Sequence, residues 1–187
     1  MNLTHVLLAA VALGPCVSCG QDDGTGLADV NDGPRIGVKV VPSGLASFQP
    51  VAGQTIYVPA YSSIYSSSNT RPFALAVTLS VRNTDQAQPI WLSSVQYYNW
   101  DGTLVRDYLK EPLRIAPMAS TEFFVKENDA TGGMSASFLV DWVADQAVSN
   151  PVVETIMIGT ARTQGISFVG ASRVLKDRAH EQSKHDP

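Results

Sequence analysis

The sequence predicts an all-β protein, a single antiparallel β-sandwich of immunoglobulin-like type, on three observations. Over residues 73–82 apolar side chains alternate with small or polar ones, the period of a strand that buries one face. Two β-prone runs meet at Asp101-Gly102, a strong hairpin signal because both residues tolerate positive φ. The other apolar runs are short and separated by turn-forming clusters, and none keeps a helical period, which favours antiparallel sheets over parallel βαβ units. With 187 residues, 44% of them apolar, the chain supports one domain with a core of its own.

In chain order, residues 6–13 come first, an apolar stretch of signal-peptide length and too short to cross a bilayer. Residues 1–18 are expected to be a lipoprotein-type signal peptide, although no Lys or Arg precedes the apolar stretch. Gly14-Pro15-Cys16-Val17-Ser18-Cys19-Gly20 resembles the cleavage box of bacterial lipoproteins, where a small residue precedes the lipid-bearing cysteine. Cys19 follows Ser18 and is the favoured attachment point. Cys16, the alternative, follows Pro15, a poor fit to a peptidase that needs an extended, hydrogen-bonded substrate. The resemblance implies anchoring to a membrane through the lipid and an extracytoplasmic place in a bacterial cell envelope, in the periplasm or at the outer surface. The competing expectation is an ordinary secreted protein that loses both cysteines with its signal peptide.

Residues 19–47 are rich in Gly and Asp, contain Pro34 and Pro42, and are expected to be a flexible tether, with Ile36-Gly-Val-Lys-Val-Val41 as an outlying strand. The sandwich is expected over residues 48–172. Phe73, Leu75, Val77, Leu79 and Val81 share one face, and burying them is worth on the order of 10 kcal/mol before the entropy of ordering the strand is subtracted. A type I′ turn is expected at Asp101-Gly102, between runs at 90–100 and 103–109. Further strands are expected at 113–115, 122–126, 135–143, 151–158 and 166–169. At 151–158 Pro151 and Gly159 look like helix ends, but five of the eight residues are β-branched, which favours a strand. Residues 173–187 are charged, lack apolar periodicity and are expected to be a disordered tail.

Several of these segments together resemble a known family. They are Tyr57-Val-Pro-Ala-Tyr-Ser-Ser-Ile-Tyr65, Ser80-Val-Arg-Asn-Thr-Asp85, Tyr97-Tyr98 before Asp101-Gly102, Gly132-Gly133 before Ala136-Ser-Phe-Leu-Val-Asp-Trp142, and Gly165-Ile-Ser-Phe168. The pattern is similar to the bacterial domain-of-unknown-function family 3124 over about residues 55–170. The resemblance implies a secreted or lipid-anchored setting and brings no activity or catalytic residue with it.

Charge and chemistry remove several functions. A net charge of −4 without a run of Lys and Arg argues against nucleic acid as a partner. The two cysteines precede the domain, so it has no disulfide, thiol nucleophile or thiolate ligand. His5, His180 and His185 all fall outside it, which excludes Ser-His-Asp and Cys-His mechanisms. No cofactor and no catalytic residue is expected.

Glu127 and Asp129, with Asn128 ahead of Thr131-Gly132-Gly133, are weak candidates for calcium ligands, lacking the regular spacing of strong sites. Tyr57, Tyr61 and Tyr65 share one side if their strand runs straight, and Tyr97, Tyr98, Trp100 and Tyr108 gather around the hairpin. Exposed, these rings would form a platform for an envelope protein or a glycan; buried, they are core. The expected function is therefore a binding or scaffolding module of the cell envelope. The alternatives are a glycan hydrolase using carboxylates such as Asp101, Asp107, Glu111 and Asp129, or a calcium- or small-ligand-binding domain.

Overall fold

A computed structural model describes residues 38–40, 48–65, 70–160 and 165–178. The expected signal peptide with Cys16 and Cys19, most of the tether, and the tail after residue 178 lie outside the described residues. The strands are β1 (Val38–Val40), β2 (Ala52–Ala60), β3 (Ser63–Ile64), β4 (Phe73–Ala74), β5 (Ala76–Arg82), β6 (Ile90–Tyr98) and β7 (Leu104–Asp107). They continue with β8 (Leu113–Ile115), β9 (Ser120–Val125), β10 (Ala136–Ala144), β11 (Val152–Gly159), β12 (Ile166–Ala171) and β13 (Arg173–Asp177). No helix interrupts this series among the described residues.

The strands form a seven-stranded sheet in the order β1-β8-β6-β10-β2-β13, with β7 on the same edge of β6 as β8. A four-stranded sheet runs β12-β11-β5-β9, and β3 and β4 make a two-stranded ribbon. Every pairing among the described residues is antiparallel.

Period-two alternation turns one face of each sheet into a shared core. The large sheet contributes Ile56, Val58, Val95, Tyr97, Phe138, Val140 and Trp142; the smaller contributes Val77, Leu79, Val81, Phe123, Val125, Val153 and Met157. The expected row from Phe73 to Val81 is buried throughout. The segment expected as a strand at 151–158 forms β11, Val152–Gly159, with Val153, Thr155 and Met157 turned inward, so the β-branched content outweighs the helix-like ends.

Three expectations are corrected or extended. The hairpin turn is not type I′: Gly102 has φ +84, but among the described non-glycine residues only Met118 has a positive φ. Gly102 N–H donates to the Asn99 carbonyl at 3.1 Å, and Asn99 N–H to the Thr103 carbonyl at 3.0 Å. This is a type I turn followed by a left-handed glycine. Asn99 Oδ1 and Asp101 Oδ1 both accept from Thr103 N–H, and these local bonds hold Asp101 in a right-handed conformation. Second, the segment expected to be a tail starts with strand β13, which pairs with the outer edge of β2. Edge pairing is made by backbone groups, so it leaves no hydrophobic pattern in exposed side chains. Third, within the tether Val38–Val40 pairs with β8, as the outlying strand would.

One buried polar corner ties three loops together. Asn83, 2% exposed, donates through Nδ2 to the carbonyls of Gln88 at 2.8 Å, Ala116 at 3.1 Å and Ile115 at 3.3 Å. Its Oδ1 accepts from Asp85 N–H at 3.0 Å. The Thr84 hydroxyl donates to the Asn150 carbonyl, and the Asp85 carboxylate accepts from the backbone N–H groups of Ala87, Gln88 and Ser149.

Candidate functional site

At the far end of β6 from that corner, the β6–β7 hairpin meets the loop between β9 and β10. Trp100 N–H donates to the Gly132 carbonyl at 3.1 Å, and Ser62 donates its hydroxyl proton to the Gly133 carbonyl. Arg106 on β7 pairs with Asp129 of the loop at 3.0 Å, and its guanidinium lies 5.4 Å from the centre of the Tyr108 ring. Both glycines are needed for close approach. A Cβ on Gly132 would run into the Tyr97 hydroxyl, and one on Gly133 would sit 2.6 Å from Trp100 Cδ1, at a backbone with φ +66. The Trp100 indole is therefore set against a fixed loop while 70% of the residue stays exposed. Leu104 on the facing strand is exposed as well.

Tyr97 lies beneath this surface, fully buried, its ring centre 4.9 Å from that of Phe138. Its hydroxyl has no hydrogen-bond partner among the described residues. Burial, followed by the charge of Asp129, pushes the phenol up to about 12. The nearby Ser62 hydroxyl counters part of that shift, but no bond of acceptable geometry joins the two side chains.

Of the candidate residues named from the sequence, Tyr97, Tyr98, Trp100 and Asp129 share this region. Tyr98 points outward and donates to Gln96 Oε1 at 2.8 Å. Tyr108 is packed inward on Phe123 and Phe138. The Tyr57, Tyr61 and Tyr65 platform does not form. The strand β2 ends at Ala60, and the chain turns so that β3 pairs with β4 instead. Tyr57 is 39% exposed on the outside of β2, Tyr61 packs on Phe168 at 6.0 Å, and Tyr65 is 57% exposed beyond β3.

The carboxylates are bound into local structure. Burial works to raise the Asp129 pKa, but hydrogen bonds from Thr131 and Arg106 outweigh it and hold the carboxyl below its ordinary range. Arg106 thus already pairs with the carboxylate of Asp129, one of the two candidate calcium ligands. No group of three or more His, Cys, Asp or Glu side chains suited to a metal ion occurs among the described residues. Asp101 and Asp107 accept from backbone N–H groups of their own turns, and Glu111 is exposed. Arg106 and Ser62 were not legible as site residues, since nothing in their neighbourhood marks them before the loop and hairpin are brought together.

These features define a small all-β domain of two main antiparallel sheets that carries an exposed aromatic hairpin on a glycine-locked loop. The family model for a protein of unknown function, DUF3124, matches residues 53–175, and the chain belongs to that family. The match reaches into β13, ending at residue 175, in line with the pairing of that strand to β2. No curated protein matches the sequence. The crystal structure of Thermotoga maritima 1070 is similar with a TM-score of 0.39 and 11% identity, covering 63% of this chain and 91% of that one. A likeness of that size carries no argument about function.

Proposed function

We propose that the chain is an extracytoplasmic binding or scaffolding module of a bacterial cell envelope, lipid-anchored through Cys19, or through Cys16 if Pro15 is tolerated. The observation that carries the binding part is Trp100, a large aromatic residue 70% exposed on a hairpin clamped by Gly132 and Gly133. Holding an amphipathic ring rigidly in solvent suits an anchor for a protein or glycan partner, because little entropy is lost when the partner docks. The cleavage-box resemblance at Cys19 supports the anchor.

An immunoglobulin-like reading of the fold is supported by the central pairs. β5 pairs with β9 in one sheet and β6 with β10 in the other, as strands B and E, and C and F, do in that fold. The flanks differ, with β2 beside β10 and β11 beside β5.

Two measurements test the proposal. Cross-linking of the full chain in the native envelope should capture a partner that is lost with Trp100→Ala, while stability changes by less than about 1 kcal/mol. Capture that persists in Trp100→Ala would overturn the aromatic anchor. Cys19→Ser should move the protein from the membrane fraction to the soluble one, and retention in the membrane would overturn the choice of Cys19.

A further inference from the structure

A second region, on the outward face of the large sheet, is independent of the Trp100 reading. Two β-bulges flank the β2–β10 pair at the same level. In β6 the extra residue is Ser93, because Asp141 pairs with Ser94 and Trp142 with Leu92. In β13 it is Leu175, because Val174 pairs with Ile56 and Lys176 with Thr55. A bulge re-aims the side chains beside it. Here the two bulges bring Lys176, Thr55, Asp141 and Ser93 together, and Arg178 joins them across Gly53.

These residues line a cavity of about 240 Å³. Of the lining residues, Trp142 donates through Nε1 to Gln54 Oε1 at 3.3 Å, and Gln54 Nε2 donates to Asp177 at 2.8 Å, so these side chains are already satisfied. Asp141 accepts the Thr55 hydroxyl proton on Oδ1 at 2.5 Å, and its backbone carbonyl accepts from Ser93 at 3.2 Å. Its second carboxylate oxygen has no partner among the described residues. Neither Lys176 nor Arg178, both exposed, has an ion pair among the described residues. Lys176 and Arg178 thus stand beside the Asp141 carboxylate in the cleft, while the Asp177 carboxylate, bonded to Gln54, lines the adjoining pocket.

We infer that this cleft binds an aminoalkyl phosphate. The phosphate oxygens would meet the Lys176 ammonium and the Arg178 guanidinium, which suits the fork of an arginine, and the ligand's ammonium would meet Asp141. That chemistry is found both in free phosphate esters and in the phosphoethanolamine headgroup of a lipid.

The test is titration of the full chain with O-phosphoethanolamine, inorganic phosphate and ethanolamine, followed by calorimetry or amide chemical shifts. O-phosphoethanolamine should bind saturably and at least five-fold more tightly than either of the others. Lys176→Ala/Arg178→Ala and Asp141→Asn should each weaken it at least five-fold, with unchanged melting temperatures showing an intact fold. Equal binding of inorganic phosphate that is indifferent to Asp141→Asn would reduce the site to a basic patch and overturn the inference. So would the absence of saturable binding, or binding indifferent to the double variant. Where the inference holds, vesicles of phosphatidylethanolamine, set against phosphatidylcholine, separate the sources: competition with the soluble probe marks a headgroup, and none marks a free ester.

Discussion

The two ends of β6 handle polarity in opposite ways. At the Asn83 corner, a side chain that is 2% exposed uses its amide nitrogen and oxygen on three carbonyls and a backbone N–H of its own chain. At the hairpin end, a phenol hydroxyl is buried with no partner among the described residues, and the residue three places on is 70% exposed. The first arrangement is architecture, since each bond closes a loop onto the sheet. The second retains an unmatched polar group and an exposed aromatic ring at one place, a departure from local consistency of the kind expected where a surface is used. The sequence motif around Asn83 therefore belongs with folding, and the Tyr97 to Trp100 segment with the binding surface proposed above.

The contrast can be broken experimentally, beginning with its largest expected effect. Asn83→Ala strips partners from the Gln88, Ile115 and Ala116 carbonyls and from Asp85 N–H, and should cost about 3 kcal/mol in urea unfolding. A loss under about 1 kcal/mol would mean that water replaces the side chain and that the corner is not what holds the loops.

The next test is alkaline. The Tyr97 phenol is pushed up to about 12 when folded, so the folded state keeps its proton where the unfolded chain releases it. That stability is complete below about pH 10 and is lost as pH rises through the folded value, about 2 to 3 kcal/mol in all. Comparing the wild type with Tyr97→Phe between pH 9 and 12 isolates it; parallel curves would show that the hydroxyl is solvated. Acid does not separate the regions. Backbone bonds from Ser149, Ala87 and Gln88 hold the Asp85 carboxyl low, and Asp129 is also held low, so both regions weaken as pH falls through and below the ordinary carboxylate range.

The smallest expected effect is that of Tyr97→Phe at neutral pH. Removing an unmatched buried hydroxyl should leave stability within about 1 kcal/mol and shift it upward. A clear destabilisation would reveal a hydrogen bond, to Ser62 or to a buried water, and would make the hairpin end resemble the corner.

Much of the fold was legible where side-chain periodicity records burial. The alternation from Phe73 to Val81, the β-branched run of β11 and the strand expected at 135–143 all read correctly, because one-sided burial leaves a period of two. What escaped was decided by other forces. The turn at Asp101-Gly102 follows hydrogen bonds from Asn99 and Asp101, which a dipeptide preference does not include. Strand β13 is held by the backbone edge of β2, which no pattern in its own side chains announces. The tyrosine platform assumed a straight strand, and the chain bends after Ala60. At the candidate site, Trp100 and Asp129 could be named in advance, but that Asp129 is neutralised by Arg106 depends on a contact between residues 23 positions apart.

The pairing of β2 with β13 also bears on how the domain is made. Gln54 reaches Asp177 across 123 positions of sequence, so β2 keeps an open edge until nearly the whole domain has been synthesised. An edge that waits so long for its complement is open to the wrong one, and the nascent chain has to be kept from β-pairing with its neighbours until the closing strand arrives.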